Sequence, residues 1–341
     1  MAATSAFREG VRRVNGAPMV VAGMFGVTLL IALPLSYVLR EMIAAHLGAS
    51  LAAETAAAGT NYDWWQEFAA QASGLGKTFV PSIVGFGAVL NNVSGILDNL
   101  PLASAIAGVT AAWLIVWSFL SGGVVDRLAR GRRTRAHGFF AACGVHFWRL
   151  LRLGVIALIA YAFLFQYVHV WIFSKAVESL TRDVAVERVA FAYRAAGYLV
   201  FGGLLVACNI IFDYARIRIV VEDRRSAIGG LLAGGRFVRR HAAAAVGLYA
   251  LNAVAFGLLI GIFAVIAPGA PGSGWSMAFA LAIGEAYIVA RLYLKLLFYG
   301  SETALFQGAL AHAAYTAAPA VVWPDSPAAE SIANADRSQV S

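Results

Sequence analysis

Residues 276–299 read SMAFALAIGEAYIVARLYLKLLFY. A bilayer crossing takes about 20 mostly apolar residues, so this stretch is long enough, yet it carries Glu285 near its middle and then Arg291 and Lys295. A carboxylate at that depth is expensive and needs a partner or a use. On a helix, Glu285, Ile288, Leu292, Lys295 and Tyr299 fall on one stripe, with Arg291 at its flank. Lys295 lies nearer the end of the run and can snorkel toward the interface, whereas Arg291 lies deeper. Glu285 and Arg291 are too far apart on one helix to be good direct partners. Candidate partners therefore come from other apolar stretches: Asn252, Asn209, Asp213, Gln166 and His169. The stripe has two readings, a polar groove serving proton coupling or an anionic headgroup, and a structural ion-pair network that fixes helix register.

The rest of the chain has the same character. Of its 341 residues 60% are hydrophobic and 13% charged, with a mean hydropathy of +0.74. Soluble domains run at about 45–50% apolar and roughly 25% charged. The net charge of +8 is thus a topology signal and not a nucleic-acid footprint, because no soluble basic domain is visible. Cys143 and Cys208 form no CxxC pair and no disulfide framework. The first apolar run, Ala17–Leu39, is too long for the core of a typical cleavable signal.

Six stretches qualify as spanning helices: about 17–39, 104–124, 153–173, 196–214, 244–267 and 276–299. The fold class expected is an all-α polytopic bundle occupying residues 1–317. Basic residues orient it. Arg8, Arg12 and Arg13 precede the first span; Arg127, Arg130, Arg132, Arg133, Arg135, Arg149 and Arg152 follow the second. Arg216, Arg218, Arg224, Arg225, Arg236, Arg239 and Arg240 follow the fourth, and Arg337 lies in the tail. The opposite side has only Arg40, Lys77, Lys175, Arg182, Arg188 and Arg194. Both termini are therefore expected in the cytoplasm of a bacterial cell, with the bundle in its inner membrane. The external loop 40–103 holds Trp64 and Trp65, which suit an aromatic belt better than a ligand-stacking site, and the apolar stretch Phe79–Leu90, read as an interfacial or re-entrant helix. Residues 318–341 read as a disordered cytoplasmic tail.

The basic stretches repeat. SAFREGVRRV (residues 5–14), HGFFAACGVHFWRLLRL (137–153) and AIGGLLAGGRFVRRHAA (227–243) each lead into an odd-numbered span. Gly10, Gly144 and Gly234 align, and Phe147 with Phe237 and Arg149 with Arg239 recur at one offset. Each unit reads as an amphipathic cytoplasmic helix followed by a hairpin of two spans, three units in all. The segment DYARIRIVVEDRRS (213–226) ends a span in a polar cluster and leads into the third amphipathic stretch. That pattern, over roughly residues 130–310, resembles uncharacterised bacterial six-span inner-membrane proteins and is similar to the membrane domain fused to some glycerophosphodiester phosphodiesterases. The resemblance implies the span layout. It brings no catalytic residues, since the soluble phosphodiesterase domain of such fusions is not in this sequence.

No nucleotide-binding, hydrolase or kinase signature occurs, and six histidines without HxxxH or HExxH spacing give no metal site and no haem pair. No catalytic residue or cofactor is assigned. The candidate polar groove comprises Glu285, Arg291, Lys295, Asn252, Asn209 and Asp213. Candidate headgroup or partner contacts are Arg149, Arg224, Arg225, Arg236 and Arg239. Asp213 pairs with Arg216 or Arg218 in this reading, and Glu222-Asp223-Arg224-Arg225 is a solvated turn, a docking point for a soluble partner or a latch between repeats. Pro34 marks a kink in the first span. Three functions remain: a protein that handles lipid or a small molecule through the polar groove, a non-catalytic accessory subunit bound to a membrane-protein partner, and, third, a membrane enzyme, which needs two or more polar side chains within hydrogen-bond reach of one another. Membrane lipids are the expected partners of the first.

Overall fold

The computed structural model describes residues 2–48, 50–58, 61–79, 93–100, 104–131, 134–267 and 274–312. All regular structure among them is helical. The long elements are α1 (Ala3–Asn15), α2 (Pro18–Leu47), α5 (Ser104–Arg130), α6 (Ala136–Phe163), α7 (Glu187–Val221), α8 (Ala227–Arg240), α9 (Ala242–Ile266) and α10 (Trp275–His312). The short helices α3 (Ala53–Ala58) and α4 (Tyr62–Gln71) lie between α2 and α5. Beyond Phe163 the α6 rod continues through two π-helical turns, Leu164–His169 and Ile172–Val177, to Thr181. Six helices are long and apolar enough to cross a membrane: Pro18–Leu47, Ala107–Arg130, Ala136–Thr181, Glu187–Val221, Ala242–Ile266 and Trp275–Leu310. The chain is an all-helical multi-pass membrane protein.

These helices overrun the apolar stretches that reveal them, mostly at the arginine-rich end. The extra turns are helical because charged side chains pair along them at helical spacing. Arg130 reaches Asp126 at 2.8 Å, and Arg218 reaches Glu222 at 2.6 Å. The end of α7 is then closed sharply. Asp223 takes a left-handed φ of 49°, and the N–H of Arg224 returns to the carbonyl of Ile219 at 3.0 Å, which satisfies a terminal carbonyl. Ser226 caps α8 by accepting from the N–H of Gly229 at 3.0 Å. The stretch 137–153 joins the third span in one unbroken helix, whereas Gly16 and Ala17 before Pro18 separate α1 from α2, and His241 separates α8 from α9. Pro34 lies inside α2, which is helical on both sides of it.

The packed core sits at the arginine-rich end. Tyr214, Phe306, Leu296, Leu305, Leu128, Ile217 and Leu248 are fully buried there. Toward the other end Leu30, Leu33, Leu158, Ile159, Leu199, Val254, Leu258 and Phe279 stand exposed, the surface a bilayer covers. Three packings dominate: α1 on α10, α6 on α5 and α8 on α7. The buried face of α1 is Ala6, Gly10 and Val14, one helical stripe, with Arg8 and Arg12 turned away. That of α8 is Ala227, Gly230, Ala233, Gly234 and Phe237. The Phe237 ring centroid stands 4.8 Å from that of Tyr214 and 5.2 Å from that of Phe306. Full burial of such a ring is worth about 1.5–3 kcal/mol. Close approach through small residues serves the same purpose between membrane helices.

The chain between α2 and α5 forms a second, smaller core of Trp64, Phe68 and Ala72 packed on Ile43, Leu47 and Phe79. Trp64 Nε1 donates to His46 Nδ1 at 3.0 Å, and Trp65 Nε1 donates to the carbonyl of Phe79 at 2.9 Å. Both indole N–H groups are thus used within this segment. The stretch read as re-entrant lies outside the described residues except for Phe79, and so does the tail from 318.

Candidate functional site

On the last turns of α7, inside the bundle, Asp213 is 7% exposed. It accepts from Arg216 Nη1 at 2.7 Å and from Asn209 Nδ2 at 3.1 Å. Arg216 Nη1 also donates to the hydroxyl of Tyr299 on α10, and its guanidinium lies 5.3 Å from that ring's centroid. Asn209 Nδ2 reaches the hydroxyl of Tyr249 on α9 at 3.4 Å. Tyr299 packs on Trp117 of α5 with centroids 5.5 Å apart. Lys295, one turn before Tyr299, places Nζ 3.7 Å from the Trp117 centroid and 5.4 Å from that of Trp113. Four helices meet at one charged knot. Each cation there has an anion or a ring face close by, which offsets the cost of leaving water.

A second polar layer lies one turn further along. Asn252 of α9 donates to Ser301 Oγ at 3.0 Å and to the carbonyl of Leu248 at 3.1 Å. Glu302, only 2% exposed, has an Oε2 with no hydrogen-bond partner among the described residues, and the same holds for the hydroxyls of Tyr214 and Thr303.

Of the groove candidates, Asn209, Asp213 and Lys295 share the knot, and Asn252 stands in the layer beside it. Glu285 and Arg291 are elsewhere. Glu285 is half-buried, and its Oε2 makes no hydrogen bond among the described residues. Arg291 is exposed and lies 5.6 Å from the centroid of Tyr287, a ring that stacks on Phe263. Gln166 lies in the first π-helical turn, and His169 Nε2 meets the carbonyl of Leu97 at 2.8 Å. Sequence reading passed over Tyr299 as a ligand of Arg216, and over Trp117 and Glu302. The signal for Glu302 was present: the stripe through Lys295 and Tyr299, continued for two turns, lands on Glu302 and then Phe306.

The headgroup candidates divide. Arg149 of α6 pairs with Asp223 after α7, and Arg224 pairs with Glu222. Arg218 also reaches Glu222 and donates to the carbonyl of Ala233 at 2.8 Å. Arg225, Arg236 and Arg239 make no hydrogen bond or ion pair with the described residues. Arg236 and Arg239 stand at the edge of a cleft of about 430 Å³ between α6, α7 and α8, walled by Ile156, Ala160, Ile211, Phe212 and Leu232. A second cleft of about 450 Å³ is polar and lies at the arginine-rich end, where Asp126, Arg130, His146, Asp223 and Gln307 line it.

No protein-family model, curated protein or solved structure matches the chain. The site therefore rests on its own geometry. Among the described residues no group of three or more histidine, cysteine, aspartate or glutamate side chains is placed to hold a metal ion.

Burial pushes the Glu222 carboxyl up, but hydrogen bonds from Arg218 and Arg224 outweigh it and hold the group below the ordinary 4.5. A depressed folded value contributes stability above the unfolded value and loses it as pH falls through the folded one. The melting temperature in detergent is expected to drop on acidification below 4.5. Glu222→Gln is expected to melt lower at neutral pH and to lose part of that acid-dependent drop.

Proposed function

We propose that the protein handles phospholipid in a bacterial inner membrane, with both termini cytoplasmic. The single observation that carries this reading is the cleft between α6, α7 and α8. Its walls are apolar, its outer side is open, and among the described residues its only charged lining residues are Arg236 and Arg239 at the arginine-rich edge. Its size is in the range of ligand sites, about 300–1,000 Å³. An acyl chain suits the walls, and a headgroup suits the rim. The charged knot at Asp213 supports this cleft from behind, since Phe212 and Ile211 are its neighbours on α7. In this reading the knot sets helix register, and lipid enters from the bilayer and not along the stripe through Glu285.

We also propose that three units build the bundle, each a basic helix with two spans. The dominant packings support it, since in each pair a basic segment lies against the end of an even-numbered span. The α1–α10 pair would close the set by joining the first unit to the last. The alternative function, an accessory subunit held by a membrane-protein partner, predicts co-purification at fixed stoichiometry.

Gly235 supplies the test. A Cβ added there would meet only Ile211 Cγ2, at 4.0 Å, and Gly235 lines the cleft, so a substitution there starts its side chain in open cleft space. Gly235→Phe is expected to cut the phospholipid retained through purification several-fold, read by native mass spectrometry, with the melting temperature held or raised. If Gly235→Phe keeps as much lipid as the unaltered protein, the cleft is not the lipid site.

A further inference from the structure

Resting on that reading, we propose that the cleft selects anionic phospholipid, a phosphodiester whose headgroup carries no positive charge, and that Arg236 and Arg239 receive its phosphate. The arginines at this end of the molecule differ in what they hold. Arg13 holds Glu9 and the Oε1 of Gln307. Arg130 holds Asp126, Arg149 holds Asp223, and Arg216 holds Asp213. Arg218 and Arg224 share Glu222. Glu9, Asp126, Asp213, Glu222 and Asp223 are each thereby committed to another arginine. Arg236 and Arg239 have no hydrogen bond or ion pair with the described residues, and α8 itself contains no acidic residue over Ala227–Arg240.

The two arginines are three residues apart on a helix, which brings their Cβ atoms to about 5–6 Å on one face. That spacing suits two guanidinium groups converging on one phosphodiester, whose oxygens accept charge-assisted hydrogen bonds. The apolar walls commit the occupant to a lipid and not to free phosphate. Ile156 and Ala160 lie one turn apart on α6 and line the groove, along which a chain can run. A zwitterionic headgroup would set its ammonium beside two guanidinium groups with no carboxylate in the lining to receive it. An anionic headgroup meets no such penalty. Basic pockets between membrane helices on the cytoplasmic side recognise anionic headgroups on the same grounds.

The test equilibrates the full-length protein in detergent with equal phosphatidylglycerol and phosphatidylethanolamine and reads bound lipid by native mass spectrometry. The unaltered protein is expected to enrich phosphatidylglycerol roughly tenfold. Arg236→Gln/Arg239→Gln is expected to erase that preference while still retaining lipid and melting within a degree or so of the unaltered protein. Inorganic phosphate at equal concentration is expected to displace none of it. Retention of lipid that Gly235→Phe blocks, but with no headgroup preference, overturns the selectivity and leaves the cleft reading intact. So does a preference that survives the double substitution. Lipid retention unaffected by Gly235→Phe overturns both.

Discussion

Arg216→Met is expected to lower the unfolding free energy by about 3–5 kcal/mol, the cost of breaking a buried ion pair by removing one partner. The substitution removes the cation paired with buried Asp213, leaving Asn209 Nδ2 at 3.1 Å among its neutral donors, and it strips Tyr299 of the guanidinium that both donates to its hydroxyl and covers its ring. Methionine fills most of the volume, so the loss is of charge balance more than of packing. Asp213→Asn is expected to cost less, because an amide can still accept from Arg216, although that cation then keeps only neutral partners and Lys295 loses a nearby anion. The decisive variant is Asp213→Leu/Arg216→Met. Replacing a whole buried pair with apolar groups is often neutral, so the double variant should recover most of the single loss. Denaturant titration in detergent reads all three. A double variant as unstable as Arg216→Met would mean that the knot's neighbours, Tyr299 and Lys295, depend on the charges and not on the space they fill.

Why the knot was half legible in the sequence follows from how apolar runs are read. The stripe Glu285, Ile288, Leu292, Lys295, Tyr299 is a helical period inside an apolar stretch, and such a period announces itself. Leu292 and Tyr299 are buried and Lys295 is half-buried. Asp213 with Arg216 was legible at the end of the fourth span, but a charged pair where an apolar run stops looks like an interface. Its depth depends on α5, α9 and α10 closing around that end, and tertiary packing of this kind leaves no local mark. The same rule hid Glu302, which follows the last apolar residues of the sixth span and appears solvated until α1 and α9 are laid over it. Glu285 shows the reverse. Its place in the middle of an apolar stretch drew attention to it, yet the charges gather three turns or more away, where four helices meet. The arginine-rich segments were legible as helices. Which of their arginines would find acids was not, because Arg149 meets Asp223 only after α6 and the α7–α8 turn come together.

Adjacent glycines on α8 give the sharpest expectation about packing. Gly234→Ala is expected to destabilise by about 1–3 kcal/mol, as overpacking does, and Gly235→Ala to stabilise by up to about 1 kcal/mol through helix propensity. The difference lies in what each new methyl meets. At Gly234 it would stand 2.7 Å from the backbone nitrogen of Ala215, 3.0 Å from its Cα and 3.1 Å from the carbonyl oxygen of Ile211. Backbone inside a helix such as α7 cannot swing aside as a side chain can, so α8 must lift, and Phe237 is carried away from Tyr214 and Phe306 with it. At Gly235 only Ile211 Cγ2 is near, at 4.0 Å. Gly10 repeats the first case where α1 meets α10, with Ser301 N, Cα and Cβ all at 2.7–2.8 Å, whereas at Gly144 nothing lies within 4 Å. Alanine at 10 and 234 should therefore lower the melting temperature, and alanine at 144 and 235 should hold or raise it. Equal melting temperatures for Gly234→Ala and Gly235→Ala would mean that α8 does not lie on α7 with this face inward, and the cleft beside it would go with that packing.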